Sequence, residues 1–358
     1  MTQLSAGALR PLPTRPGDAS AGEVLPPVDP VVSLPVVTLL PFARCNCRCA
    51  MCDIWKVKGG ASLSREEVEA LVPPLVRLGT RRAVLSGGEP LMHPRLFEVV
   101  APLRGAGIGL TLLSSGLLLE RFAREIAASF DDVVASLDGP REVHDEIRGV
   151  PGAFDRLAKG VAALHREAPG LPVSGRCTVQ RANLGRLREV VASARSLGLS
   201  RVSFLAADVA SEAFNHAGGW PEGEAARVAP RAEDLPLLAA EIEAMERENA
   251  ADLDSGFVAE PAERLRERLL GHFRAARGEA PFPPSRCNAP WVSAVVESDG
   301  SVRPCFFHPP YGNLRAGESL DAILNGERAL AFRRSLDVAS DPTCVRCTCR
   351  LNLRETHP

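Results

Sequence analysis

Cys45, Cys49 and Cys52 lie in the stretch from Phe42 to Trp55 at the spacing C-x3-C-x2-C. Whatever this chain folds into must gather three thiolates on one tight loop. An iron–sulfur cubane takes one ligand per iron, usually four cysteines, so three cysteines leave one iron open to a small molecule. The competing reading is a structural zinc site, which wants four closed ligands in C-x2-4-C pairs. Cys47 sits inside the loop as a candidate fourth ligand, but only Arg48 separates it from Cys49. Thiolates that close in sequence rarely reach one metal, so the loop favours an open cluster over zinc.

A second group of thiols lies near the C-terminus. Cys287 is followed by twelve residues, Gly300, four residues and Cys305. A hairpin turning at Asp299-Gly300 brings those two cysteines together. Cys344-x2-Cys347 supplies a second pair, and four thiolates in two pairs close around one cluster or around zinc. Cys349 is too close to Cys347 to complete another set. His308, three residues after Cys305, reads as structural rather than as a substitute ligand. Cys177 stands alone and reads as a small buried hydrophobe. The N-terminus is Pro-rich without a signal-type apolar core, so the ten cysteines are expected to be metal ligands in a reducing cytosol.

Between the two thiol groups, strands and helices are expected to alternate. The helix at 64–78 opens at Ser64 with Glu66 and Glu67 in its first turn. Strands are expected at 31–40, 82–86, 109–114, 132–138, 172–180 and 201–206. The intervening helices are at 94–106, 118–129, 152–167 and 184–197. This alternation means βαβ units, a parallel sheet and right-handed crossovers. In parallel α/β barrels, chemistry gathers at the C-terminal ends of the strands, and both the cysteine loop and Gly87-Gly-Glu-Pro90 fall there. After 207 the pattern becomes helical, at 231–250 and 258–277, with a Pro-marked linker at 281–284. The organisation is thus a flexible Pro-rich arm at 1–30, an α/β domain at 31–210, a helical linker region at 211–285 and a Cys-rich α+β extension at 286–358.

Composition narrows the function. A formal net charge of −2 and 5% aromatic residues argue against a nucleic-acid partner. No apolar run of 18 residues is present, so no membrane span is expected.

The three-cysteine loop followed by Ser86-Gly-Gly-Glu-Pro90 resembles the radical S-adenosylmethionine (SAM) superfamily, over roughly residues 36–210. The resemblance implies a partial (βα)6 TIM-like barrel with a [4Fe–4S] cluster held by Cys45, Cys49 and Cys52. SAM would chelate the open iron, and Gly87, Gly88, Glu89 and Pro90 would receive its amino group. Two glycines let backbone approach a ligand. Val134-Ala-Ser-Leu-Asp-Gly-Pro140 resembles the fourth strand of these enzymes. Its period-2 pattern puts Ser136 and Asp138 on one face, and Ser136 would touch the ribose or carboxylate of SAM. A simple turn at Asp138 is the alternative. His144-Asp-Glu-Ile-Arg-Gly149 also resembles the family, with Arg148 pairing with the SAM carboxylate. Met51 stands where the family usually has an aromatic residue, and would pack against adenine. On the next strand Arg176, Thr178 and Gln180 share a face and are expected to line the substrate cavity.

Residues 286–350 are similar to the SPASM and twitch extensions, which hold auxiliary clusters. One auxiliary [4Fe–4S] cluster on Cys287, Cys305, Cys344 and Cys347 is the expectation. The family implies a reductive cleavage of SAM to a hydrogen-abstracting 5′-deoxyadenosyl radical, fed by an electron donor such as flavodoxin or ferredoxin. Two substrates stand open. A small molecule, oxidised with electron transfer to the auxiliary cluster, is favoured because the first 30 residues offer no folded leader-binding domain. A ribosomal peptide, or a redox-neutral epimerisation, is the alternative. A non-enzymatic zinc or electron-transfer protein is more distant, since Gly-Gly-Glu-Pro has no role in it. No catalytic acid or base is identifiable.

Overall fold

The computed structural model describes residues 28–354, apart from 217 and 222. Most of the 1–30 arm lies outside that range. Six strands run in parallel: β1 (Val36–Leu39), β2 (Arg82–Leu85), β3 (Gly109–Ser114), β4 (Asp132–Ser136), β5 (Val173–Val179) and β6 (Val202–Ala206). Six helices follow or cover them: α1 (Arg65–Arg77), α2 (Leu96–Gly105), α3 (Ala123–Ser129), α4 (Arg141–Arg148), α5 (Ala153–Glu167) and α6 (Leu187–Ser196). This is the expected partial barrel, and it does not close.

The sheet instead continues at the β1 side. Strand β7 (Ser293–Val296) pairs parallel to β1, in register Val36↔Ser293 to Leu39↔Val296, and β8 (Ser301–Arg303) and β9 (Gly312–Asn313) add antiparallel strands. The spatial order is β6-β5-β4-β3-β2-β1-β7-β8-β9. The first strand of the Cys-rich segment is therefore part of the main sheet. The expected hairpin between β7 and β8 is present, with Gly300 at φ +86°, a conformation that glycine adopts without strain.

Alternation along the strands separates core from cavity. Val37, Leu39, Ala83, Leu85, Val133 and Ala135 are fully buried beneath the helices. Their neighbours Thr38, Val84, Val134, Ser136, Arg176 and Ser203 face a cavity on the inner side. Helix α1 starts where the sequence indicates: Ser64 and Glu67 form a reciprocal capping box, with Glu67 N donating to Ser64 Oγ at 3.2 Å and Ser64 N donating to Glu67 Oε2 at 2.7 Å.

Two elements differ from the sequence-based expectation. Arg141–Arg148 forms a helix of its own, ended by Gly149 at φ +62°, a left-handed stop typical of glycine. The helix expected from 258 begins only at Ala262. Val258 instead forms a single parallel bridge with Val202 of β6, where Val202 N donates to Phe257 O at 2.7 Å and Ala259 N to Val202 O at 2.8 Å. Pairing with an otherwise open sheet edge overrides the local helical pattern. Among the described residues, no helix is long and apolar enough to cross a membrane.

Leu39→Ala, in the strand that delivers the cysteine loop, is expected to lower the stability of the apo-protein by about 2–5 kcal/mol. Urea unfolding followed by circular dichroism measures it.

Candidate functional site

The cysteine loop is held from two sides by backbone contacts. Glu89 N donates to Arg44 O at 2.8 Å, and Gly88 N to Phe42 O at 3.3 Å. Arg48 N donates to Arg148 O at 2.9 Å, which joins the loop to the end of α4. These approaches need glycine. A Cβ on Gly88 would meet Arg44 O at 2.1 Å, and one on Gly149 would meet Arg48 O at 2.5 Å. A small apolar cluster of Cys47, Cys49, Met51, Val143, Ile147, Ala207 and Val228 packs beneath the loop, apart from the main core.

Cys45, Cys47, Cys49 and Cys52 all line the inner cavity, together with Met51, Gly87, Gly88, Ser136 and Arg148. The cavity measures about 1750 Å³. The structure thus brings most of the sequence-predicted site residues to one wall. It places three others behind that wall. Pro90 is buried. Glu89 is fully buried and accepts from Ser115 N at 2.7 Å, Ser115 Oγ at 2.6 Å, Ser114 Oγ at 3.1 Å and Leu91 N at 3.1 Å. Burial pushes its carboxyl up, against those hydrogen bonds. Its contacts brace the turn that presents Gly87 and Gly88.

Asp138 is also fully buried and forms an ion pair with Arg148, whose Nε and Nη2 each lie 2.6 Å from Oδ2. Thr178 N donates to Asp138 Oδ1 at 3.0 Å. The remaining Arg148 nitrogen, Nη1, lies 3.6 Å from Cys49 Sγ. Arg148, expected to meet the SAM carboxylate, is therefore engaged between Asp138 and a cluster thiol. Burial acts to lower its pKa, but Asp138 and then Cys49 raise it above the ordinary arginine value.

Cys47 lies between Cys45 and Cys49 and hydrogen-bonds to both thiols. Cys49 is lowered to about 6, chiefly by that hydrogen bond, with Arg148 adding to it against burial. Cys45 is lowered as well, mainly by Cys47, whereas burial raises Cys52 to about 12. Gln180, expected in the cavity, sits behind Met51 and donates to its Sδ at 3.6 Å. Cys177 is a buried core residue.

The second thiol group converges too. Cys287, Cys305, Cys344, Cys347 and Cys349 border one small cavity of about 30 Å³. Burial is the leading cause that raises the thiols of Cys305, to about 11, Cys344 and Cys347. A metal centre displaces such protons. His308 Nε2 is 3.4 Å from Cys344 Sγ and 3.6 Å from Asp341 Oδ1, so it borders the site as well. Cys305 and Cys349 also line the large cavity. Cys349 is the thiol that spacing alone set aside.

One connecting loop gave no readable sequence signal. Phe214 O accepts from Asp53 N at 2.9 Å and Asn215 Nδ2 donates to Asp53 O at 2.8 Å. The Phe214 ring packs edge-on to Phe307 at 6.1 Å, linking the loop after β6 to both thiol groups. Phe214 and Asn215 hold φ of +59° and +69°, uncommon for residues with a side chain.

Residues 39–204 match the model of the radical SAM superfamily, and residues 287–348 match the SPASM iron–sulfur cluster-binding domain. The chain is a radical SAM protein with a C-terminal SPASM domain. These domains imply a SAM-binding [4Fe–4S] cluster with auxiliary cluster chemistry beside it. The residues present fit: three loop thiols face the cavity with a guanidinium at hand, and a second, separate thiol set is closed around its own small space. Fe-coproporphyrin III synthase of Methanosarcina barkeri is 34% identical over 156 residues, 42% of this chain and 38% of that protein. The chain thus spans less than half the length of that relative. PqqA peptide cyclase of Rhodopseudomonas palustris is 26% identical over 327 residues, 88% of this chain and 79% of that protein. Streptococcus suis SuiB, crystallised with S-adenosylmethionine, has the same fold at a TM-score of 0.62 and 15% identity, covering 89% of this chain and 73% of SuiB.

Gly88→Ala is expected to push the Arg44–Cys45 backbone away and to lower iron loading after anaerobic reconstitution, read by iron and sulfide analysis. Arg148→Met leaves Asp138 buried without its partner and is expected to cost about 3–5 kcal/mol. The double variant Asp138→Asn with Arg148→Met should recover part of that loss in urea unfolding of the apo-protein.

Proposed function

We propose that this protein is a radical SAM enzyme acting on a peptide, and that it makes an oxidative modification next to its SPASM thiols. The walls that the cavity shares between the two thiol sets carry this reading. The cavity is lined both by Cys45, Cys49 and Cys52 and by Cys305 and Cys349. The PqqA peptide cyclase alignment, which runs through both domains, supports the peptide over the small molecule favoured by sequence. The small-molecule case rested on the first 30 residues, which lie mostly outside the described range.

The chain's own residues divide the work. Cys45, Cys49 and Cys52 would hold the SAM cluster, and Cys287, Cys305, Cys344 and Cys347 the auxiliary one. When bound, these groups would supply a hydrogen-abstracting 5′-deoxyadenosyl radical and an electron sink on the walls of one cavity. Arg148 sets a positive charge beside Cys49. Gly87 and Gly88 offer bare backbone to SAM, and Met51 offers an apolar wall to its adenine. Phe214 and Phe307 close the side of the cavity between the two thiol sets and limit water.

Anaerobically reconstituted protein should hold about eight irons, as two cubanes require, and lose about half when Cys45, Cys49 and Cys52 become Ala. With SAM and a low-potential reductant it should release 5′-deoxyadenosine. A short peptide encoded beside the gene should then change mass. Tight zinc without iron, or no 5′-deoxyadenosine with several reductants, defeats the enzyme reading. Turnover of a small alcohol with no peptide change defeats the peptide.

A further inference from the structure

Three arginines around the large cavity have a carboxylate partner: Arg82 with Asp132 at 3.0 Å, Arg148 with Asp138, and Arg303 with Glu297 at 2.9 Å. Arg176, Arg264, Arg268 and Arg350 line the same cavity and make no ion pair within 4 Å among the described residues. Arg176 projects from β5 and has one contact, Nε to Ser203 Oγ at 3.4 Å. Its four terminal N–H groups remain available. Arg264 and Arg268 are four residues apart, so they share one helical face. They sit where the helical stretch 262–276 passes through π-type turns at Arg266–Gly271, an irregularity frequent at functional sites.

Arg350 is oriented in advance. It donates to the carbonyls of Cys347 at 3.3 Å, Pro284 at 3.0 Å, and Pro283 and Val345 at 3.2 Å. None of those partners neutralises it. Asp208, Glu212, Glu260, Glu263 and Glu267 line the same cavity. Glu260 is buried, accepts from Phe204 N at 3.0 Å, and is pushed towards its neutral form by burial. Burial lowers the Arg268 pKa; Glu260 opposes that fall, while Arg264 and Arg350 add to it. Guanidiniums that make no ion pair within 4 Å keep N–H groups for an incoming anion, which they bind in charge-assisted hydrogen bonds.

We infer that Arg176, Arg264, Arg268 and Arg350 form a recognition site for carboxylate side chains of an acidic peptide, placed between the barrel mouth and the SPASM segment. This rests on the peptide reading above and names the chemistry of the segment that is held. The carboxylate anchors at the β5–Arg350 side of the cavity, leaving the remainder of the peptide to extend towards Cys45, Cys49 and Cys52.

The test is isothermal titration of the reconstituted protein with SAM, using hexaglutamate, hexalysine and free glutarate as probes. Hexaglutamate should bind, hexalysine should not, and added salt should weaken the binding. Arg264→Glu with Arg268→Glu should weaken hexaglutamate roughly tenfold or more, about 1.4 kcal/mol. Arg268→Lys should weaken it less, and Arg328→Glu on the outer surface should leave it unchanged. Iron content equal to the parent protein shows that each variant is folded. Equal binding of hexaglutamate and hexalysine, no binding of hexaglutamate, or an equal loss in Arg328→Glu overturns the site. Glutarate binding as tightly as hexaglutamate keeps the carboxylate site and overturns the peptide.

Discussion

The buried pair of Asp138 and Arg148 is the contact on which the site depends. Asp138 stands just past β4 and holds β5 through Thr178 N, while Arg148 ends α4 and reaches Cys49. Its backbone carbonyl receives the cysteine loop through Arg48 N. One carboxylate thus fixes strand, helix and loop relative to one another. An apolar pair of similar volume would stabilise the fold as well or better. It would not present a fixed cation to a thiolate at the cavity wall. The pair is accordingly explained by chemistry rather than by stability.

The parallel sheet and most of its helices are legible because the strands are short and apolar and alternate with helix-length segments, α4 being the exception. The two thiol groups were legible because metal ligation imposes spacing. What the sequence could not convey was direction. Glu89, Asp138 and Arg148 stand in recognisable motifs, yet Glu89 and Asp138 point into protein and Arg148 answers to Asp138 first. Side-chain partners of that kind are set by neighbouring strands, which local pattern does not encode. The bridge at Val258 has no local signal for the same reason, since the open edge of β6 provides its partner. Cys349 was set aside by spacing, although it borders the same small cavity as the other four thiols. Chain reversal after Cys347 can turn a neighbour back towards the same space. The turn at Phe214 and Asn215 has no local signal, because its partners Asp53 and Phe307 are both distant in sequence.

The two thiol groups are joined by more than proximity. Cys305 and Cys349 border both the small cavity and the large one, so the SPASM site forms part of the wall that a substrate would touch. Phe214 rests on Phe307 while its carbonyl holds Asp53, the residue after Cys52. The two thiol groups are thereby joined by a short, packed chain of contacts. The positive φ of Phe214 and Asn215 shows that this bridge is maintained against a local conformational cost.

The pairing of β1 with β7 has a consequence for how the molecule is made. Strand β1 sits in the interior of the sheet, yet one of its neighbours belongs to residues 293–296. During synthesis that neighbour leaves the ribosome after all six barrel strands. For that interval the strand carrying the cysteine loop has an unpaired edge, a template for wrong pairing with other chains. The cysteine loop thus hangs from a strand whose second partner is the last of the parallel strands to be made.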